Sequence, residues 1–275
     1  MRLFGSRRSD AAVIRSCPVC GKSHARTIGQ LKTTALLSLL KTQYEFAQCR
    51  SCGLLYISPE PPAADLRAIY VESSQFDDSA YTDPRRVALI IEYMTGCFRA
   101  ILKRSGHVAN EAVAVLEVGA GLAWMCRVAK SINAESVTVA QDISPEAVDK
   151  CSWVDVHVLN DIFDPAIDQH APYDVISLTH VIEHLVDPVT VIRRCKSLLR
   201  ERGVIFITAP HRPIGWKDNA ADVALWEKYS YNHVPAHIQY FSKKSMGKLA
   251  QRTGCALDYW SHRHEEGQAF EAWLR

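Results

Sequence analysis

Short apolar runs alternate with amphipathic stretches over the second half of the chain. Strand-like runs fall at Ala112–Val118, Ser136–Ala140, Val154–Leu159, Tyr173–Leu178, Val204–Thr208 and Ala256–Trp260. Helix-like segments at Ala123–Ile132, Pro145–Asp149, Pro188–Leu199 and Lys243–Thr253 lie between several of them. This alternation predicts an α/β domain with a mostly parallel sheet and helices on both faces. Residues 63–106 read as helical, with Leu66, Ile69 and Tyr70 at helix-face spacing and a longer apolar pattern from Val87 to Leu102. The stretch 211–241 breaks the pattern. It is poorly periodic and rich in Trp216, Trp226, Tyr229, Tyr231, Tyr240 and Phe241, and is expected to be an insertion over the strand ends. Pro59, Pro61 and Pro62 set residues 1–58 apart, so three regions follow: 1–58, 59–106 and 107–275.

Composition narrows the class without naming an activity. The chain has 275 residues, which suits one sizeable domain and a small appendage. Apolar residues at 48% and charged residues at 23% exclude a disordered or fibrous chain. The runs Ala35–Leu40 and Val87–Ile91 fall far short of the ~20 apolar residues that span a bilayer, and Asp10, Arg15 and Cys17 interrupt any secretory h-region. The expectation is a soluble cytoplasmic protein with no membrane partner. Net charge is +2, but residues 1–58 hold nine Lys and Arg against Asp10 and Glu45, a formal +7 that leaves −5 for the remainder. No Lys/Arg block occurs there, so nucleic acid is not the expected partner.

Cysteine changes the picture. Of nine, Cys97, Cys126, Cys151, Cys195 and Cys255 stand singly in apolar or helix-like stretches and read as buried free thiols. The other four form two pairs, Cys17-Pro-Val-Cys20-Gly21 and Cys49-Arg-Ser-Cys52-Gly53, separated by 28 residues. Each pair places two sulfurs on a tight turn, and the glycine after it permits the left-handed conformation such a turn needs. Residues 44–48 and 54–57 flank the second pair as a hairpin, a zinc-ribbon arrangement. Cys17, Cys20, Cys49 and Cys52 complete a tetrahedron around Zn²⁺ with no position left for water, so the ion would be structural; His24 is a spare ligand.

A second motif runs from Val115 to Trp124: a strand ending at Glu117, then the loop Gly119-Ala120-Gly121 into a helix. Glycines there let the backbone approach a ligand closely. The next strand ends at Gln141-Asp142-Ile143, where an acid about twenty residues on is placed to bind both ribose hydroxyls of a nucleoside. A carboxylate at Glu117 repels phosphate and attracts an ammonium or sulfonium, which argues for S-adenosylmethionine over NAD. Asp161, after the third strand, is placed to accept from the adenine amine.

These segments, with Tyr173–Ile176, His180-Val181-Ile182-Glu183-His184-Leu185-Val186-Asp187-Pro188, Leu198–Pro210 and His237–Ser242, resemble the successive motifs of class I S-adenosylmethionine-dependent methyltransferases. The cysteine module and its proline-rich exit are similar to a bacterial subgroup that includes sugar C-methyltransferases. The resemblance implies a Rossmann-like seven-stranded sheet with a small N-terminal zinc ribbon. It also implies cofactor contacts from Glu117, Gly119, Ala120, Gly121, Asp142, Ile143, Asp161 and Ile162. Two positions depart from the pattern: Ala123 stands where the family usually has glycine, and Val234-Pro235-Ala236-His237 replaces an acidic segment. The expected function is methyl transfer to a small-molecule acceptor, a sugar, a nucleotide-linked sugar or another biosynthetic intermediate. The alternatives are an RNA methyltransferase using the basic ribbon and a non-catalytic methyltransferase-like binding protein. A hydroxyl or carbon-acid acceptor needs a base, and His237, His184 and His180 are the candidates.

Overall fold

The computed structural model describes residues 14–30, 40, 42, 44–72, 83–144, 147, 156–159, 161–219, 222–229, 231–263 and 269–275. Seven strands form the main sheet: β4 (Ala114–Val118), β5 (Val137–Asp142), β6 (Val156–Leu159), β7 (Tyr173–Thr179), β8 (Leu199–Pro210), β10 (Leu257–Arg263) and β11 (Ala269–Leu274). Their order is β10-β11-β8-β7-β4-β5-β6. The pairs β8–β7, β7–β4, β4–β5 and β5–β6 are parallel, and β11 lies antiparallel between β8 and β10. After β4 the chain steps one way to β5 and β6, then returns to place β7 on β4's other side. The edge between β4 and β7 is therefore a topological switch point, where open α/β sheets bind ligands.

The period-2 alternation of the strands divides the core in two. Leu116, Val118, Ile176, Leu178, Ile205 and Ile207 face one side, against Val189, Ile192 and Cys195 of α5 (Pro188–Leu198) and Met246 and Leu249 of α7 (Lys243–Thr253). Val115, Val175, Val204 and Phe206 face the other, against Phe98 and Ile101 of α2 (Pro84–Ser105) and Met125 and Val128 of α3 (Trp124–Ile132). Local signals set the helix ends. Asp83 caps α2 before Pro84, Ser242 and Ser245 form a capping box on α7, and Gly106 and Gly254 end these helices in the left-handed region. The remaining helices are short: α1 (Ala63–Arg67), α4 (Pro165–Asp168) and α6 (Asp222–Lys228). A π-helical turn at Ala68–Glu72 follows α1.

Several boundaries differ from the sequence pattern. The strand expected at Val204–Thr208 extends to Leu199–Pro210, because Arg200 is held by Asp174 at 2.8 Å and continues the extended chain. The pattern also passed over β11. Its Phe270, Ala272 and Leu274 point to one core face and Trp273 to the other, while the acid that disguised it, Glu271, is buried and accepts from Tyr93 Oη at 3.0 Å and Trp273 Nε1 at 2.8 Å. Cys97, Cys126, Cys195 and Cys255 are buried thiols outside any disulfide, as expected. Cys151 and most of the expected helix Pro145–Asp149 lie outside the described residues.

A second sheet, β1-β2-β3-β9, joins the N-terminal region to the end of the insertion. β1 (Ala25–Gln30), β2 (Glu45–Cys49) and β3 (Leu55–Ser58) make an antiparallel meander, and β9 (Gln239–Tyr240) adds to β3. The insertion aromatics mostly pack there. Trp226 stacks on Phe46 with centroids 4.1 Å apart, and Trp216, Ile238 and Tyr240 share a core with Tyr44, Leu55 and Ile57. Asp222 fastens this contact: it is fully buried, accepts from Lys217 N and Asn219 N at 2.8 Å each, and pairs with Arg26 at 3.1 Å. Asp222→Ala removes the buried carboxylate that Arg26 and the Lys217 and Asn219 amides share, with Gln48 Oε1 still accepting from Arg26 Nε at 2.8 Å, and is expected to cost about 3 kcal/mol in urea denaturation. An unchanged midpoint would show that the insertion is not clamped through this residue.

Candidate functional site

Two segments meet at the switch point. The loop after β4 carries Gly119 and Gly121, both with positive φ (+60° and +53°). A Cβ built on Gly119 would lie 2.5 Å from Val181 Cγ2, so only glycine lets the β4 loop lie against the segment after β7. Ala120 N donates to Gln141 O at 2.9 Å and Gly121 N to Asp142 Oδ2 at 2.8 Å, which ties the loop to the end of β5. Ala123, the departure from the glycine pattern, takes the left-handed conformation at φ +51° as N-cap of α3. That conformation costs a residue with a Cβ about 1–2 kcal/mol; burial of its methyl in the α2–α3 core offsets part of this.

The three acids stand at successive strand ends but in different settings. Glu117 is buried beneath the loop, and its Oε2 accepts from Cys126 N at 3.1 Å at the start of α3. Burial pushes its carboxyl up to about 7, against the downward pull of the Cys126 and Met125 amides. Asp142 is half-buried at the end of β5; Oδ1 accepts from Ser144 N and Oδ2 from Gly121 N, both at 2.8 Å. Asp161 is exposed and accepts from Phe163 N at 2.9 Å. Ile143 and Phe163, 45% and 46% exposed, stand beside Asp142 and Asp161, with the Arg194 guanidinium over one face of the Phe163 ring at 6.0 Å, and Ile162 is buried. Exposure of two large apolar groups next to polar ones suits a flat aromatic ligand. The sequence pattern gave Phe163 no role; its signal was an aromatic two residues past the third acid.

Glu117 yields a pH prediction. A carboxyl whose folded pKa lies near 7 favours folding when protonated, so that contribution is complete below about pH 4.5 and is lost as pH rises through 7. Glu117→Gln removes the ionisation, so the ligand-free variant is expected to exceed the parent in stability at pH 8, by about 3 kcal/mol at most, and to match it near pH 4.5. Denaturant midpoints at the two pH values check this; equal differences at both would contradict it.

The three candidate histidines surround a fourth residue. Glu183, in the 3₁₀ turn Ile182–His184, is fully buried, and its Oε2 has no hydrogen-bond partner among the described residues. His180 Nδ1 lies 3.3 Å and His184 Nε2 4.0 Å from its Oε1. The His184 and His237 rings meet edge-on at 5.0 Å. Burial alone would raise the Glu183 carboxyl, but His180, His184 and His237 together hold it at about 2, and burial lowers His237 to about 4. His180 sits at φ +55° with half its side chain exposed, its amide donating to Thr208 O at 2.9 Å. Tyr70, on the π-helical turn, reaches His184 Nδ1 at 3.2 Å. Neither Tyr70 nor Glu183 received a role from the sequence pattern. Tyr70 reads as one face of a helix, and Glu183 is quoted inside a motif with no sign that it is buried.

The second sheet sets this cluster. Ile57 N donates to Ile238 O at 3.0 Å, and Ile238 N to Glu183 O at 2.9 Å. Gln239 Nε2 donates to Ile182 O and Leu185 O at 2.7 Å each. The hairpin that carries Cys49 and Cys52 thus fixes the segment that carries His237, just before β9, against the turn that carries Glu183.

The four paired cysteines converge, with ligand atoms all within 4.8 Å of one another. Cys17 and Cys52 sulfurs are 3.6 Å apart and Cys20 and Cys49 sulfurs 3.4 Å. A zinc tetrahedron with ~2.3 Å bonds has edges of about 3.8 Å, so the set fits. Cys20 N and Cys52 N point at Cys17 Sγ and Cys49 Sγ at 3.5 Å, while Gly21 and Gly53 turn the chain at φ +71° and +77°. Hydrogen bonds from Cys17 and Cys52 lower the Cys49 thiol, and the bond between Cys17 and Cys49 raises Cys17. The cluster takes a first negative charge readily and resists further ones unless a cation is present.

Together the sheet order and the glycine loop at the switch point define a doubly wound α/β domain. A family model described as a methyltransferase domain matches residues 90–259, more than half of the chain, and the chain belongs to that family. Among curated proteins it is 28% identical over 116 residues to a ubiquinone biosynthesis O-methyltransferase of Xanthomonas campestris, a match covering 39% of this chain and 47% of the relative. The enzyme of that name from Sodalis glossinidius is 26% identical over 122 residues, covering 42% and 48%. The chain thus spans about half the length of the curated relatives it matches. Among solved structures, an S-adenosylmethionine-dependent methyltransferase from Clostridium acetobutylicum aligns with TM-score 0.51 at 8% identity, covering 71% of this chain and 95% of that one. Magnesium protoporphyrin IX methyltransferase from Synechocystis with bound S-adenosylmethionine aligns with TM-score 0.50 at 12% identity, covering 74% and 92%. These likenesses show the fold. No helix among the described residues is long and apolar enough to cross a membrane.

Proposed function

We propose that the protein transfers a methyl group from S-adenosylmethionine to a small-molecule acceptor, with a structural Zn²⁺ held by Cys17, Cys20, Cys49 and Cys52. The observation that carries this reading is the meeting of the Gly119–Gly121 loop with the Glu183 turn at the switch point, with Asp142 beside it. In this reading Asp142 holds the ribose hydroxyls, Ile143, Ile162 and Phe163 line the adenine, and Asp161 accepts from its amine. Gly119 and Ala120 bring backbone close to the cofactor, and the Glu117 charge favours its cationic end. The acceptor oxygen or carbon attacks the methyl carbon in line. The new bond forms as the carbon–sulfur bond breaks, and its electron pair stays on sulfur to give the neutral thioether.

The acceptor's proton goes to a histidine. His180 is the best placed of the three, because Nδ1 faces Glu183 and half the side chain is exposed, so Nε2 is left for the acceptor. His237, lowered to about 4 by burial, is a weaker base. The names of the curated relatives favour an oxygen acceptor. The formal +7 of residues 1–58 does not favour RNA, since its nine Lys and Arg are spread along the segment with no Lys/Arg block. Calorimetry with S-adenosylmethionine, followed by incubation with cell extract and assay for S-adenosylhomocysteine, tests the proposal. Cofactor binding with product formation is expected. Absence of binding would refute the site, and binding without turnover would favour a non-catalytic role.

A further inference from the structure

We propose that Glu183, His184 and His237 form a second metal site, for a first-row divalent ion that holds the acceptor's oxygen beside the methyl donor. This rests on the functional reading above. One carboxylate oxygen and one ring nitrogen from each histidine lie within 4.8 Å of one another. Around an ion with bonds of about 2.1 Å such atoms stand about 3–3.5 Å apart, so side-chain rotation of an ångström or so closes the set.

Two further observations point to a ligand. First, Glu183 is fully buried; Oε1 meets His180 Nδ1 at 3.3 Å, and Oε2 has no hydrogen-bond partner among the described residues, and a buried carboxylate with an oxygen left so is costly unless a cation or strong donor meets it. Second, both histidines are already held from behind. His184 Nδ1–H donates to Ala236 O at 2.8 Å, and His237 Nδ1 lies 3.3 Å from Tyr231 O. A backbone carbonyl on Nδ1 fixes the tautomer that leaves the Nε2 lone pair free, and metal-ligating histidines are oriented in this way. Tyr70 Oη, packed against the same Nδ1 and Ala236 O, stiffens His184 further.

The donors select the ion. Two imidazoles and one carboxylate suit Zn²⁺, Fe²⁺ or Mn²⁺, whereas Mg²⁺ and Ca²⁺ prefer an all-oxygen set. Three protein ligands leave at least one position open. An acceptor hydroxyl bound there is acidified, which eases loss of its proton to His180. The four-cysteine cluster has no open position and cannot take this role.

Cobalt(II) distinguishes the two sites. The zinc-loaded protein is dialysed against Co²⁺, and bound metals are counted while the visible spectrum is recorded. One Co²⁺ per chain is expected beside one retained Zn²⁺, with d–d bands but without the thiolate-to-cobalt charge transfer that substitution at the cysteines would produce. Glu183→Gln and His237→Ala are each expected to weaken cobalt binding by at least about tenfold. S-adenosylmethionine affinity, measured on the same samples, reports whether each variant folds. Cofactor binding with no nitrogen- and oxygen-ligated cobalt in the parent protein overturns the metal site and leaves the functional reading intact. Cobalt binding unchanged in both folded variants also overturns it. Bound cobalt in a parent protein without cofactor affinity would uphold the site and refute the methyltransferase reading.

Discussion

Removing the structural zinc proposed for the four-cysteine cluster is expected to unfold the methyltransferase domain, not merely the N-terminal hairpin. Cys17, Cys49 and Cys52 are buried in the same core as Leu116, Ile176, Ile205, Met246 and Leu249. Arg252 of α7 donates to Val19 O at 2.7 Å, inside the first cysteine turn. Structural zinc contributes an apparent ~10–16 kcal/mol to folding in small modules, against a total stability of ~5–15 kcal/mol for a domain. Without the cation, several sulfurs must stay protonated and crowded at under 4 Å. Loss of β3 as a partner also releases β9, and with it His237 from Glu183. Chelation at neutral pH should therefore lower helical circular dichroism and abolish S-adenosylmethionine binding together. Metal-free protein, verified by elemental analysis, that keeps both signals would show the ribbon to be dispensable.

Asp142→Ala is expected to weaken S-adenosylmethionine at least about a hundredfold while leaving the fold intact. A carboxylate offers about four acceptor sites. Ser144 N and Gly121 N occupy one on each oxygen, leaving about two for a pair of ribose hydroxyls. Hydrogen bonds to a charged group contribute about 1.5–3 kcal/mol each, so losing two costs about 3 kcal/mol or more. The variant also removes the Asp142 oxygen that accepts from Gly121 N, a tie between the loop and the end of β5. Calorimetry measures the affinity and thermal denaturation the fold. An affinity within a few-fold of the parent would remove Asp142 from the cofactor site.

The features of this protein that are written in contiguous residues are legible in the amino-acid order alone. Strand ends, the Gly119–Gly121 loop and the cysteine turns depend on local backbone preference and on period-2 burial, both of which a run of five to ten residues carries. The capping box at Ser242 places the start of α7 where the pattern expects it. Even β11 follows the rule, and the pattern misses it because Glu271 reads as a surface acid until Tyr93 and Trp273 are seen to satisfy it.

Partnership across the chain was decided only by tertiary structure. Tyr70, His184 and Ala236 meet although 166 residues separate the outer two, and Trp216, Trp226 and Tyr240 of the insertion pack on Phe46 and Ile57 of the N-terminal hairpin. The burial of Glu183 is invisible in its own neighbourhood. It follows from β9 pairing with β3, which folds residues 236–240 over the turn. Local periodicity tells which face of an element is apolar; which other element covers that face, and hence which polar groups are stranded beneath it, is set by the closing of the two sheets.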